Sequence, residues 1–441
     1  MSGNLAPVAE IQAAAGETPA VGIERMTISA NRQLLLRNLE LLDPEAGEVL
    51  GGVEILVEGD RFKEVSDRPI RADGAAVVDC AGCVVLPGLI DCHVHCMHSE
   101  VYMRRMEEVP LTLATARAAV RLRSMLDRGF TTVRDTGGTD WGVKSAVEQG
   151  LIVGPRLFIA GRSIGPTGGH ADGRARTNDG YNCPCCNGQA YLRQIADGVD
   201  GVRKAVREQM RQGCDHVKIM VSGGVASPYD PLDSLQFSLA EIEAAVEEAE
   251  AFGRYVLAHA YAAEAIRRAV LSGVRTIEHG NLIDEPGAEL MAGRGAYLVA
   301  NLVAYVAMKE RAASFGMPPE MLEKNDMVLE GGYRSLEICR RAGVKIAYGS
   351  DLLGALLDDQ SREFSIRAEV QPPIEVIRAA TTIAAEVLRR PGKLGVVAPD
   401  AWADLVVVDG NPLRDIRLLE GQGRHLLAIM KGGVFHKNRL H

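Results

Sequence analysis

The chain has 441 residues, of which 47% are apolar and 5% aromatic, and it carries a formal net charge of −9. This length exceeds one small domain and suits a large barrel with an appendage. The apolar share is enough for a sizeable core. Acids and bases are spread along the chain, which argues against a nucleic-acid partner needing a basic patch; an anionic small-molecule substrate stays open, since local charge in a cleft can oppose the global sign.

No apolar run is long enough to cross a bilayer, so no membrane partner is expected. Residues 1–25 lack the basic start and apolar centre of a secretion signal. Residues 1–30 read as a disordered N-terminus. The nine cysteines are odd in number and scattered, which fits reduced thiols better than a disulfide framework. The expected location is the cytoplasm.

Residues 33–85 read as short β-strands. Leu34-Leu35-Leu36, Val53-Glu54-Ile55-Leu56-Val57 and Ala76-Val77-Val78 are separated by turns such as Glu58-Gly59-Asp60. From Leu89 the pattern becomes strand, then helix, repeated. Strands are expected at 89–93, 131–135, 155–161, 216–222, 255–260, 276–281, 297–302 and 345–350. Helices are expected at 112–128, 197–212, 239–252, 263–272, 286–294 and 319–342, with a last one near 374–389. Many of them stop at a glycine, as helix C-termini favour (Gly129, Gly213, Gly253, Gly273, Gly295, Gly343). Such a repeat predicts an α/β fold, a (β/α)₈ barrel, over residues 89–394. Beyond it, 403–408 and 429–434 return to strand character. The two β segments, 31–88 and 395–441, are too short for separate cores and are expected to form one composite β-sandwich domain.

Barrel enzymes carry their chemistry at the C-terminal ends of the strands. The first strand ends in His93-Val94-His95, whose imidazoles share a face because side chains alternate along a strand. Two such rings can grip a metal ion or simply be polar residues at a strand mouth. Lys218, His259, His279 and Asp351 fall at the ends of the fourth, fifth, sixth and eighth strands. Core packing does not account for six such groups at one mouth. Lys218 sits in an apolar strand, where an unpaired ammonium is costly. A neutral amine there can add carbon dioxide to give a carbamate that bridges two cations; a plain ion pair with a carboxylate such as Asp351 fits the residues as well.

The set resembles the amidohydrolase superfamily. The likeness rests on the run from Pro87 to His95, on Lys218, on the single histidines His259 and His279, on Gly349-Ser350-Asp351, and on the stretch from Gly395 to Val406. Lys218-Ile219-Met220-Val221-Ser222-Gly223-Gly224-Val225 and His259-Ala260-Tyr261 are most similar to the branch of imidazolonepropionase-related metallopeptidases, which includes Xaa-Pro and Xaa-Arg dipeptidases and ochratoxin-hydrolysing amidases. The resemblance implies two divalent ions, Zn²⁺ or a similar metal. His93 and His95 would hold one ion and His259 and His279 the other, with a CO₂-derived carbamate on Lys218 as the bridge and Asp351 on the first ion. Two cations sharing a water lower its pKa toward neutrality and so supply a hydroxide nucleophile. Asp351 would be the general base and then the proton donor to the leaving amine.

His170, on the long insertion 162–192, would donate to the oxyanion. Tyr261 resembles the tyrosine with which this branch holds a free carboxylate; Ser222, Gly223, Val225 and Asn301 are further pocket candidates. The implied reaction releases a C-terminal amino acid from an N-acyl amino acid or dipeptide, ochratoxin A included. The implied assembly is a homo-oligomer. The alternatives are a cyclic amidase acting on a ring amide, a deaminase, against which the lysine speaks, and a non-catalytic scaffold. Cys183, Cys185 and Cys186 lack the paired spacing of structural zinc and read as free thiols; His425, His436 and His441 read as surface residues.

Overall fold

The computed structural model describes residues 33–177, 191–227 and 229–440. The expectations for residues 1–30, for Cys183, Cys185 and Cys186, and for His441 lie outside the described residues. Four strands come first: β1 (Gln33–Asp43), β2 (Glu48–Glu58), β3 (Arg61–Ser66) and β4 (Ala76–Pro87). β1 and β2 form a hairpin, and β4 lies parallel to β1 on its other side.

β4 runs directly into the first barrel strand, β5 (Leu89–Val94). Gly88 joins them because nothing larger fits: a Cβ there would stand 2.2 Å from Thr131 Oγ1. The chain then forms β6 (Phe130–Asp135), β7 (Arg156–Ile159), β8 (Ser163–Gly165), β9 (Arg193–Ile195), β10 (Val217–Met220), β11 (Val256–Ala262), β12 (Thr276–Leu282), β13 (Tyr297–Ala300) and β14 (Ile346–Tyr348). Every neighbouring pair in this series is parallel. β7 and β8 share the third place in the ring. The first bonds to β6 and the second to β10, and the chain steps between them at Gly161 (φ +67°). The ring closes where the amides of Ser350 and Asp351 donate to His93 O, at 3.3 and 2.8 Å. β9 pairs with β8 outside the ring.

The outer layer is α1 (Leu111–Asp127), α2 (Trp141–Glu148), α3 (Gly198–Arg211), α4 (Leu239–Ala251), α5 (Ala263–Leu271), α6 (Glu285–Arg294), α7 (Leu302–Arg311) and α8 (Pro319–Ala342). Three short helices follow: α9 (Glu363–Ala368), α10 (Pro373–Ala379) and α11 (Thr382–Val387). The six glycines expected at helix ends all have left-handed backbone, with φ from 66° to 92°, which costs a glycine nothing. Several details differ from the sequence expectation, and β8, β9 and α9 correspond to no expected element. α2 and α7 were not anticipated, and the strand expected through Leu302 stops at Ala300. The last expected helix is two, broken where Thr381 leaves helical geometry (φ −135°, ψ −95°).

β15 (Leu405–Val408), β16 (Leu426–Lys431) and β17 (Val434–Asn438) end the chain. β15 lies antiparallel on β4, with Leu405 opposite Pro87. Strands from both chain ends therefore make one sheet, in the order β17-β16-β15-β4-β1-β2-β3. Its inward residues, among them Leu36, Ile55, Phe62, Leu405 and Met430, form an apolar cluster of their own. A larger cluster lies between the barrel strands and the helices. The class is thus the expected one, a (β/α)₈ barrel beside a β domain built from both ends. Among the described residues the six cysteines form no disulfide, and no helix is long and apolar enough to cross a membrane.

Candidate metal centre and active site

All six residues expected at the mouth line one cavity: His93, His95, Lys218, His259, His279 and Asp351. Backbone geometry makes this possible. His93 is the inward residue near the end of β5, and His95 follows two residues on. Glu278 and His279 are neighbours on β12, so strict alternation would aim them to opposite faces. His279 has φ +76°, and the β11–β12 register slips just after it. Both side chains therefore reach His93. Asp351 also has positive φ (+49°), and its amide is held by His93 O. Left-handed non-glycine residues of this kind concentrate at functional sites.

The two histidines of β5 and Asp351 converge. His93 Nε2 and His95 Nε2 lie 3.3 and 3.2 Å from the same oxygen, Asp351 Oδ1. One donor atom from each of His93, His279 and Asp351 lies within 4.8 Å of the other two. The other ring nitrogens are occupied. His93 Nδ1 is 2.7 Å from Glu278 Oε2 and His95 Nδ1 is 3.0 Å from Gly137 O. With both acceptors taking an N–H from Nδ1, each Nε2 faces Asp351 with a lone pair. Two lone pairs and a carboxylate at this distance need a cation among them, so the donor set fits a metal ion. Burial opposes charge on His93, but Asp351 and Glu278 outweigh it and raise its pKa. Burial likewise works against the Asp351 carboxylate, yet His93 and His95 hold it well below the usual range.

The second group is His259, His279 and Lys218. The His259 and His279 ring centres are 4.6 Å apart. His259 Nε2 is 3.0 Å from Gly223 O, which leaves Nδ1 free, and Asn301 Nδ2 and Tyr305 OH lie 2.9 and 3.0 Å from His279 Nδ1. Burial holds both histidines well below their ordinary pKa, as neutral ligands require. Lys218 is 1% exposed, and no described carboxylate comes within 4.0 Å of its amine. An ion pair with Asp351, the plainer of the two sequence readings, is not formed. Burial lowers the Lys218 pKa to about 8, against the pull of Glu278 and Asp351.

The Amidohydrolase family model matches residues 84–434. The chain belongs to that family. It is 31% identical to an ochratoxinase of Aspergillus niger over 382 residues, covering 80% of this chain and 76% of that one. Among solved structures it is similar to an amidohydrolase at 50% identity and TM-score 0.90, covering 93% of this chain and 100% of the other. A prolidase complexed with N-methylphosphonate-L-proline matches at 47% identity and TM-score 0.90, covering 92% of this chain and 100% of the other.

Other pocket residues of this amidohydrolase divide into lining and support. Tyr261, Val225 and His170 line the cavity. Ser222, Gly223 and Asn301, expected there, stand behind its wall. Ser222 Oγ accepts the Tyr261 amide at 2.9 Å, Gly223 O faces His259, and Asn301 supports His279. A Cβ on Gly223 would meet Pro231 O at 1.8 Å, so the residue is there for close packing. His170 stacks on His259, with ring centres 4.3 Å apart, and its Nδ1 is 2.6 Å from Ser227 Oγ.

Several site residues were not anticipated. Glu278 is fully buried and pairs with Arg134, whose Nη2 donates to both carboxylate oxygens at 2.8 and 2.9 Å. Tyr305 bridges Tyr261 and His279. His98, from the loop after β5, and Arg193, at the start of β9, also line the cavity. His98 carried a visible signal, three residues past His95; Arg193 carried none, since it follows a long insertion with no helix or strand period.

Proposed function

We propose that this amidohydrolase is a binuclear metal-dependent enzyme that releases a C-terminal amino acid from an N-acyl amino acid or dipeptide, with amides of the ochratoxin type within its range. The observation that carries the reading is the convergence of four imidazoles, one carboxylate and a buried lysine, which has no carboxylate partner among the described residues, on a single cavity. His93, His95 and Asp351 would hold one cation, and His259 and His279 the other. Lys218, as its CO₂ adduct, would join them; only a neutral amine adds CO₂, and burial in the barrel favours that form. Zinc is the favoured metal for a nitrogen-rich set. When bound, such cations acidify a water and polarise a carbonyl.

The remaining steps belong to the chain's own residues. Asp351 takes the proton from the attacking water and delivers it to the leaving nitrogen. His170, held by Ser227 at Nδ1, turns Nε2 toward the carbonyl oxygen as charge builds there. Tyr261 receives the free carboxylate of the released residue. Its hydroxyl is 3.0 Å from Tyr305 OH, which in turn touches His279, so this subsite is wired to the metal-side histidine. The ochratoxinase and prolidase relatives support the choice of an amide with a free carboxylate on its leaving side.

Steady-state kinetics on matched N-acyl amino acids, their amides and a cyclic amide tests this reading. Tyr261→Phe is expected to lower kcat/KM for the free acids by about tenfold or more, the worth of one charge-assisted hydrogen bond. The carboxamides should change little. Equal losses would remove Tyr261 from the subsite, and turnover of the cyclic amide alone would favour ring hydrolysis.

A further inference from the structure

Among the described residues Arg193 is a cation with no partner. It begins β9, and its register places it beside Ser163 of β8; both line the metal cavity. Among the described residues its guanidinium makes no hydrogen bond and no ion pair, although it is only partly exposed. Nearby carboxylates are engaged elsewhere. Asp172 is taken by Arg174 and by the Gly168 amide, and Asp230 by Gln236, the Gly224 amide and the His170 ring. Glu107 is exposed and farther than 4.0 Å. Burial lowers the Arg193 pKa only to about 10, so the group stays charged at neutral pH. Holding a partly desolvated guanidinium unpaired is costly, and in a ligand cavity the cost is recovered when an anion arrives.

The position says which anion. Tyr261 enters from the fifth ring strand, against His279 of the sixth. Arg193 enters through β8 and β9, at the third ring place, close enough to His98 to depress that ring's pKa after burial and His95 have done so. The two groups thus flank the metal ligands from different ring places. Val101, Met103, Leu353 and Leu356 supply apolar wall to the same cavity. Asp351 is the one carboxylate among the described lining residues, and it faces the metal histidines. Nothing in that lining is placed to receive a free α-ammonium.

We infer that Arg193 is a specificity residue that binds an anionic group on the acyl side of the scissile amide. Of the two substrate types proposed above, this selects N-acyl amino acids with an anionic acyl group over dipeptides with a free amine. The inference rests on the amide-hydrolase reading, and the test separates the two.

Calorimetric titration of the zinc-loaded protein with succinamate and with the uncharged butanamide reads the Arg193 site without turnover. Succinamate should bind about ten- to a hundredfold more tightly, as for one charge-assisted contact. Arg193→Gln should abolish that preference, and Arg193→Lys should keep part of it; melting curves check that both variants are folded. A preference that survives Arg193→Gln, or none in the parent, overturns the inference. Hydrolysis of N-succinyl, N-butanoyl and 2-aminobutanoyl derivatives of one amino acid forms the second arm, with succinyl expected fastest and aminobutanoyl slowest. Release of no amino acid from any of the three, with Arg193-dependent succinamate binding intact, would overturn the amino-acid-releasing reading instead.

Discussion

His93 is wired at both ends. Its Nδ1 meets Glu278, whose carboxylate is shared with Arg134, and its Nε2 meets Asp351. Arg134 also donates to Cys92 O and Thr276 Oγ1, so the pair fills the barrel interior with satisfied charge. Glu278→Gln removes one half of a fully buried ion pair. We expect a stability loss of about 3–5 kcal/mol in denaturant titration and a metal affinity lower by about ten- to a hundredfold. Unchanged zinc affinity would show that Glu278 does not orient His93. Asp351→Asn should leave the circular dichroism unchanged and cut kcat by about a thousandfold or more, since an amide cannot shuttle the proton; turnover within tenfold of the parent would remove it from that role. His93 and His95 were legible because alternation on a strand is a firm rule. Glu278 was not, because the rule aims it away from His279, and only the left-handed turn at His279 lets both reach His93.

At the scale of elements, α7 shows what local pattern hides. The strand expected over 297–302 breaks at Asn301, and the chain continues as helix. The break is sustained from far along the chain: Glu363 Oε2 accepts the Val303 amide at 2.6 Å, over a separation of 60 residues. Burial pushes the Glu363 carboxyl up to about 8 from its ordinary 4.5, more than Arg367 and the helix amides can offset. Between those pH values the unfolded chain has lost the proton and the folded chain keeps it. Stability therefore falls as pH rises from about 5 to 8 on this group's account. Glu363→Gln keeps an acceptor and cannot titrate, so unfolding midpoints of the variant should fall less over that window than those of the parent; parallel curves would contradict the shift. β7 and β8 make the same point, since no periodicity marks a strand that changes partners halfway.

At the scale of the molecule, the sheet made from both chain ends holds the strand that carries His93 and leads into His95. β4 lies between β1 and β15 and passes through Gly88 into β5. Arg156 adds a tie between barrel and sheet, stacked 4.3 Å over Trp402 and paired with Asp404. The alternation of strands and helices, the glycines at helix ends and the return to strand after the barrel made this architecture legible. The course of 162–177 was not, because that segment is held by tertiary contacts such as the His170 amide to Gln236 rather than by any repeat. Above this frame the account comes down to whether the clustered side chains hold a pair of cations. Element analysis of the protein, loaded with zinc and passed through gel filtration, measures that directly. About two zinc ions per chain should be retained, and chelation should remove them together with amide hydrolysis; a chain that keeps none, or that hydrolyses amides equally well after chelation, would contradict it.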